Sequence, residues 1–308
     1  MSVDRRLTFY AWADTNEKHP FDRLAAAAAV QGLSNGEVVL DHGEDELTAV
    51  EIVAVGRANS PTKLLLHALH GPSSRPSEYG PGVGTRTIQI GKDRYTAFTG
   101  HVSIWADKIA AVDMHANCPG FGRLSAYLRR RGDQKVVFRP LFAQETAERL
   151  KDLEGIRGVD FAIHEPAKIV QARKRGMLRS LLPSRKFPSI HVTAGMSRRE
   201  PRDAYFEPEV EEELFGLADS AEQFFDRLII RGLSKTKKTP TGKKKSVEVN
   251  LLSERLHVAA SLEHDPENPS LPIRDLTFSQ LDRARRQLDR DGKLAAAAEA
   301  RIALDQAE

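Results

Sequence analysis

Short runs of alternating apolar and polar residues dominate the first 115 positions of the chain. They predict β-strands at 7–14, 37–42, 47–56, 62–70, 95–106 and 108–115. A turn at Asp107-Lys108 joins the last two strands. One helix is predicted among them, at 21–33, where five consecutive alanines favour helix. Residues 71–86 contain three prolines and four glycines, so this segment is predicted to be a loop.

From residue 118 onward, helical spacing alternates with strand spacing. A helix at 118–133 places Phe121, Leu124 and Leu128 on one face. Further strands are predicted at 135–142, 159–166, 187–196 and 254–264, and further helices at 144–155, 167–183 and 208–224. This order predicts an α+β protein with mixed sheets and two domains, residues 1–133 and residues 134–308.

The C-terminal segment is predicted to be an amphipathic helix. Phe278, Leu281, Ala284 and Leu288 form an apolar stripe, and Asp291-Gly292 is predicted to break the segment into two helices. Such a stripe needs a groove, either on its own chain or on a second copy.

The stretch from Lys235 to Lys245 differs most from the rest of the chain. Six of its eleven residues are lysine and none is acidic. Apolar runs at 224–233 and 246–252 flank it, and Pro240-Thr241-Gly242 lies between them. This pattern predicts a β-hairpin with a long, flexible basic tip.

Composition shows that the positive charge is local. The chain has 308 residues and a net charge of only +3, with a pI of about 8.9. The lysine stretch alone carries +6, so the remaining residues are net acidic. Cys118 is the one cysteine, and neither a signal sequence nor an apolar run of about 20 residues is present, so we expect a cytoplasmic protein.

Several lysines on one loop are typical of phosphate contact driven by counterion release. A solvated loop, or a surface for an acidic protein or a membrane, would give the same pattern. Two further basic groups favour double-stranded DNA, one at the end of the helix 118–133 and one along the helix 167–183. The predicted DNA-binding residues are Lys235, Lys237, Lys238, Lys243, Lys244, Lys245, Arg129, Arg130, Arg131, Lys168, Arg175 and Arg179.

Aromatic residues make up only 6% of the chain, and no interleaved aromatic platform for stacking bases is present. Nor does the sequence contain a helix-turn-helix, zinc-finger or RRM signature. We therefore expect contacts to the DNA backbone with little sequence specificity.

Candidate catalytic patterns are incomplete. His115 and Cys118, with Asp113 and His101 nearby, lack a second ligand pair for a metal. A P-loop around Gly242-Lys243 fails, because Lys237 replaces its first glycine and Lys244 its Ser or Thr. The glycines at 80, 82 and 84 form no dinucleotide fingerprint. Asp160, Glu165 and Lys168 approach the acidic and lysine set of a Mg²⁺-dependent nuclease. No catalytic residue, metal or cofactor is predicted.

The order of elements resembles the RexA-type exclusion proteins of temperate phages. The strand 109–115, the helix 120–132 and the strand 135–142 with Pro140-Leu141 are similar to one part of that family. Residues 246–262, with Leu252-Ser253-Glu254-Arg255, resemble its strand–LSEK/R–strand–helix tail. The resemblance covers about residues 100–290. Within this range, the lysine stretch has no counterpart in that family.

This resemblance implies a cytoplasmic, homodimeric DNA-binding sensor of prophage-encoded exclusion. Its partner would be a RexB-like membrane protein, and related KwaB-like defence proteins suggest the same class. Two alternatives stay open at this point. One is a metal-dependent nuclease or toxin of a phage-defence system, and the other is a protein-interaction module whose lysines are inert.

Overall fold

A computed structural model describes most of the chain. The described residues are 2–14, 38–41, 46–56, 60–70, 77–80, 84–87, 96–114, 119–132, 136–163, 190–196, 205, 227–264 and 272–305. The predicted helices at 21–33, 167–183 and 208–224 lie outside them, as do His115, Cys118, Glu165 and Lys168.

Fourteen strands and four helices lie within the described residues. The strands are β1 (Ser2–Asp14), β2 (Val38–Asp41), β3 (Glu46–Ala54), β4 (Thr62–His70), β5 (Ser77–Gly80), β6 (Gly84–Thr87), β7 (Thr96–Ile104), β8 (Ile109–Met114), β9 (Val136–Pro140), β10 (Leu153–Ile163), β11 (Ile190–Gly195), β12 (Arg227–Lys238), β13 (Lys244–Asn250) and β14 (His257–Glu263). The helices are α1 (Phe121–Gly132), α2 (Gln144–Lys151), α3 (Arg274–Arg290) and α4 (Lys293–Asp305). The predicted α+β class is confirmed.

The strand pairs with defined partner residues are antiparallel, where mixed sheets were predicted. The reason is that neighbours along the chain pair directly, as β3 with β4, β7 with β8 and β12 with β13. Antiparallel pairs need only short connections, whereas parallel pairs need a crossover.

The chain divides into two compact units. The first unit contains Met1–Phe138 and His257–Arg286, and the second contains Arg139–Leu256 and Gln287–Glu308. Residues 257–286 belong to the first unit because β14 pairs with β1, from Ser2 opposite Glu263 to Thr8 opposite His257. The predicted division into domains 1–133 and 134–308 stays a prediction.

The first unit is built on a sheet with the strand order β14-β1-β8-β7-β4-β3-β2, and β9 also pairs with β1. Helix α1 covers one face of it with Phe121, Leu124 and Leu128, all buried as the spacing predicted. Phe121 stacks on Phe138, with ring centroids 4.3 Å apart, and meets Tyr10 edge-on at 4.5 Å.

Helix α3 buries the predicted stripe of Phe278, Leu281, Ala284 and Leu288. In the first unit, the Phe278 ring lies edge-on to His101, with centroids 5.4 Å apart. Arg285 lies 4.9 Å from the centroid of the Trp105 ring and pairs with Asp107. The groove for this part of the stripe is therefore on the chain itself. The predicted break is confirmed, because Gly292 ends the helix with a φ of 68°.

The second unit is built on a four-stranded sheet with the order β11-β10-β12-β13. One face of this sheet is apolar, because Phe161, Ile163, Leu228, Ile230 and Val249 alternate onto it and are buried. Ala147 and Leu150 of helix α2 and Ala300 of helix α4 belong to the same core. The opposite face carries the charged residues discussed below.

Two predicted segments were wrong in part. The loop predicted at 71–86 contains a two-stranded ribbon, in which Ser77 lies opposite Thr87 and Gly80 opposite Gly84. The helix predicted at 144–155 ends at Lys151, and β10 begins at Leu153. Leu153 is buried and pairs with Ser234, so tertiary pairing overrides the local helical pattern.

Within the described residues, no helix is both long enough and apolar enough to cross a membrane.

Candidate nucleic-acid interface

The lysine stretch forms the end of a hairpin between β12 and β13. The predicted hairpin is confirmed, but its connection is shorter than the long tip that the sequence predicts. Lys235, Lys237 and Lys238 lie in β12 and Lys244 and Lys245 in β13, so most of the lysines belong to the strands. The connection between the strands is only the short turn from Thr239 to Lys243.

This turn is closed by its own hydrogen bonds. The Gly242 amide donates to the Thr239 carbonyl at 2.9 Å, and the Thr239 amide donates to the Lys243 carbonyl at 2.6 Å. Pro240 follows Thr239, and Gly242 has a φ of 77°. These are the features of a three-residue hairpin loop that ends in a left-handed residue. The turn therefore holds the two lysine-bearing strands in a fixed register.

A bulge in β12 sits immediately behind the turn. Leu233 lies opposite Ser246 and Lys238 lies opposite Lys244, so four residues of β12 (234–237) face only Lys245 of β13. The Ser234 hydroxyl oxygen accepts hydrogen bonds from the amides of Thr236 (3.2 Å) and Lys237 (2.6 Å). The bulge thus replaces ladder hydrogen bonds by side-chain ones.

Asp152, at the C-terminal end of helix α2, anchors the bulge. Its carboxylate accepts hydrogen bonds from the Ser234 hydroxyl (2.5 Å), the Thr236 amide (3.0 Å) and the Thr236 hydroxyl (2.7 Å). Its carbonyl accepts one from the Lys235 amide at 2.7 Å. The hydrogen bonds from Ser234 and then Thr236 hold the pKa of Asp152 below its ordinary value. The bulge is therefore fixed to the helix by a charged acceptor.

All six lysines of the stretch are exposed. Lys244 forms an ion pair with Glu154, and its hydrogen bond lowers the pKa of that carboxyl. Lys235 donates to the Lys151 carbonyl at 3.1 Å. Among the described residues, the other four make no ion pair; these are Lys237, Lys238, Lys243 and Lys245. Most of the positive charge is therefore directed to solvent.

The other predicted DNA-binding residues lie in the first unit or outside the described residues. Arg129, Arg130 and Arg131 lie in the last turns of α1, in the first unit. Lys168, Arg175 and Arg179 fall outside the described residues. Of the composite basic surface that the sequence predicts, the structure therefore supports only the part at the hairpin.

A cavity of about 620 Å³ lies between helix α2 and the bulge. It is lined by Glu145, Glu148, Arg149, Lys151, Asp152, Lys235, Thr236 and Lys237. Three of these side chains are acidic and four are basic, so their charges nearly balance and the cavity does not extend the basic surface.

Asp160 is placed differently from what a metal ligand requires. Its carboxylate pairs with His191 Nε2 (2.8 Å), Arg227 Nε (3.3 Å) and Arg231 Nη2 (3.4 Å). Burial alone would raise the pKa of Asp160, but the hydrogen bond from His191 and the charge of Arg227 outweigh it and lower the pKa. Both oxygens are thus committed to cations, which disfavours the Mg²⁺ interpretation of this residue.

Sequence reasoning missed this cluster. Arg227 and Arg231 are four residues apart on one strand, and this spacing places both on the same face. That signal is present in the sequence. Their convergence on Asp160 and His191 depends on the pairing of three strands, which the sequence pattern does not give.

Two residues of the other candidate metal pattern, His101 and Asp113, contact each other. Asp113 accepts hydrogen bonds from the His101 amide (2.5 Å) and from the His101 ring at Nδ1 (3.1 Å), and both residues are buried. Across the described part of the chain, no group of three or more His, Cys, Asp or Glu residues could hold a metal ion.

We expect Gly242→Ala to destabilise the protein by about 1 kcal/mol, the usual cost of a left-handed alanine. A Cβ at this position would meet nothing within 4 Å, so the cost is conformational and not steric. Gly242→Asn is the matched variant, because asparagine tolerates this conformation. The free energy of unfolding, measured with urea, should be highest with glycine at position 242, lower with asparagine and lowest with alanine. Equal values for the two variants would contradict the assigned turn.

We expect Asp152→Ala to cost on the order of 1 kcal/mol at pH 7, because it leaves the Ser234 hydroxyl and the Thr236 amide without their charged acceptor and water replaces only part of it. Since the folded-state pKa is lowered, this contribution is present above the unfolded pKa of about 4 and is lost as the pH falls through the folded value. Denaturant unfolding between pH 7 and pH 3 should show the difference from wild type shrinking on acidification. Glu299→Ala, an exposed carboxylate on α4, is the control. A gap that stayed constant down to pH 3 would rule out the anchor.

Comparison with known proteins identifies no family. The chain matches no protein-family model and no curated protein. The functional interpretation therefore rests on the charge and geometry of the hairpin, together with the resemblance in the sequence.

Proposed function

We propose that the protein binds double-stranded DNA, with little sequence preference, through the β12–β13 hairpin. One observation carries the proposal. Six exposed lysines, with no acidic residue among them, are held on two paired strands by a closed turn and an anchored bulge. We propose no catalytic role for this surface, in which each lysine ammonium binds phosphate as a point charge.

The shape of the hairpin fits a duplex. Two paired strands lie about 4.8 Å apart, and the major groove, about 12 Å wide, admits a two-stranded ribbon. The lysines at the end of such a ribbon contact phosphates on both sides of the groove. The turn itself offers Thr239, Pro240 and Thr241, which carry no charge and no planar amide for reading bases. Affinity without sequence preference follows.

The wider role rests on the resemblance to RexA-type exclusion proteins. On that basis we infer a homodimeric, cytoplasmic sensor of prophage-encoded anti-phage exclusion, which acts with a RexB-like membrane protein. Residues about 100–290 carry this inference, with Pro140-Leu141 and Leu252–Arg255 as its most specific parts. The hairpin would supply the contact with DNA that such a sensor needs.

The decisive experiment replaces three lysines that make no ion pair among the described residues. The variant is Lys237→Gln, Lys238→Gln and Lys245→Gln together. We expect duplex affinity to fall on the order of 100-fold at ~0.15 M salt, the counterion-release value for three phosphates. The slope of log K against log salt should fall by about 1 for each lysine. Fluorescence anisotropy with a mixed-sequence duplex measures both.

The matched control removes the same charge from helix α3, as Arg283→Gln, Arg286→Gln and Arg290→Gln, all exposed. This variant should keep its affinity within about twofold, which corresponds to roughly 0.4 kcal/mol. Equal losses in both variants would show that net charge alone drives binding. No loss in the lysine variant, with the melting temperature unchanged, would overturn the proposal.

The nuclease alternative is separated by incubating supercoiled plasmid with Mg²⁺ or Mn²⁺. We expect no cleavage, because Asp160 is paired with His191, Arg227 and Arg231. Gel electrophoresis over several hours measures it. Cleavage that Asp160→Ala abolishes would replace the non-enzymatic proposal with the nuclease.

A further inference from the structure

The polar face of the second sheet brings two arginines and a histidine into neighbouring positions. Arg227 of β12 lies opposite Ala162 of β10, and Ala162 lies opposite His191 of β11. Asp160 is two residues from Ala162 on β10 and therefore shares its face. Arg231, four residues along β12 from Arg227, shares it too. The register thus places Arg227, Arg231 and His191 around one carboxylate.

Burial separates the charges of this cluster. The side chain of Asp160 is only 7% exposed, whereas those of His191, Arg227 and Arg231 are 58%, 46% and 35% exposed. The carboxylate therefore lies beneath, and the two guanidinium groups and the imidazole reach solvent above it. Arg227 contacts Asp160 through Nε and Nη2, which fixes the plane of its guanidinium and leaves Nη1 for a further acceptor.

The strand surface between the two arginines is closed to solvent. Ile229 lies between Arg227 and Arg231 on β12, opposite Asp160, and both Ile229 and Ala162 are buried. A ligand would therefore meet the outer ends of Arg227, Arg231 and His191, and not the strand backbone.

We propose that Arg227, Arg231 and His191, organised by Asp160, form a second phosphate-binding site. Its ligand is a phosphate group, either of a DNA backbone or of a free nucleotide. If the ligand is a DNA phosphate, the site rests on the proposed function. The DNA-binding surface then extends from the tip of the hairpin to its base. Lys238 lies opposite Lys244, and alternation along β13 puts Lys244 on the same face as Glu248, which lies opposite Arg231.

The guanidinium group of arginine is well suited to binding phosphate, because it has more donors than a single ion pair uses. A guanidinium offers five donors in a fixed plane that matches phosphate, and Asp160 occupies only part of that set. Arg231 is shared with Glu248 at 2.7 Å, a contact that raises the pKa of Arg231 and ties it to the edge strand. Arg227 and His191, which do not contact Glu248, therefore carry most of the binding.

The test compares Arg227→Gln with Arg283→Gln, an equal change of charge on an exposed position of helix α3. Three probes are used with each folded variant: a labelled mixed-sequence duplex, inorganic phosphate and adenosine monophosphate. If the ligand is a DNA phosphate, Arg227→Gln should weaken duplex binding about fivefold at ~0.15 M salt and lower the salt slope by about 1, while the control changes neither. If the ligand is a free nucleotide, calorimetry should show phosphate or adenosine monophosphate binding to wild type but not to Arg227→Gln.

His191→Ala provides the second variant, because His191 lies on edge strand β11 and is more than half exposed. It should reproduce the loss of binding seen with Arg227→Gln, measured at a temperature where both variants are fully folded. No difference between either variant and the control, for all three probes, overturns the site. The lysine variant at positions 237, 238 and 245 keeps the two proposals apart. If it still weakens duplex binding, the hairpin function stands even when the second site fails.

Discussion

The carboxylate of Asp152 is the contact on which the basic surface depends. Helix α2 is pinned to the core of the second unit by Ala147 and Leu150, and Asp152 follows directly at its C-terminal end. From there it accepts three hydrogen bonds from Ser234 and Thr236. These bonds absorb the extra residues of β12 in a bulge. Only with the bulge in place can Lys238 meet Lys244 and the turn at Gly242 close.

The local alternation of apolar and polar residues was sufficient to predict some of the elements. The strand at 62–70 and the stripes of Phe121, Leu124 and Leu128 on α1 follow directly from the alternation of apolar residues. The start of β10 could not be predicted in this way, because Leu153-Glu154-Gly155 also continues the helical pattern of α2. The pairing of Leu153 with Ser234, 81 positions away, decides that boundary, and no local signal contains it.

The candidate site, like the fold, could be predicted only where the signal is local in the sequence. The lysines and the hairpin were visible as a charge anomaly between two apolar runs. The bulge was not, because it depends on Asp152, a residue from another element. Nor was the role of Asp160, which needs the register of β10, β11 and β12 together. Sequence showed which charges exist, whereas pairing decides which of them are neutralised. Asp160 is neutralised by cations, and Lys237, Lys238 and Lys245 make no ion pair within the described residues.

The hairpin therefore combines two kinds of cation for two kinds of contact. The lysines near its turn are compact charges on long stems, which tolerate any phosphate geometry and suit a first, non-specific encounter. The arginines at its base are planar and held in orientation by a buried carboxylate, so a phosphate that they bound would need a defined position. Strand β12 carries both arginines and three of the six lysines, and it is continuous between them. Under the proposed function, a duplex that engages the tip would thereby be presented to the oriented arginines, and one strand would provide both affinity and positioning.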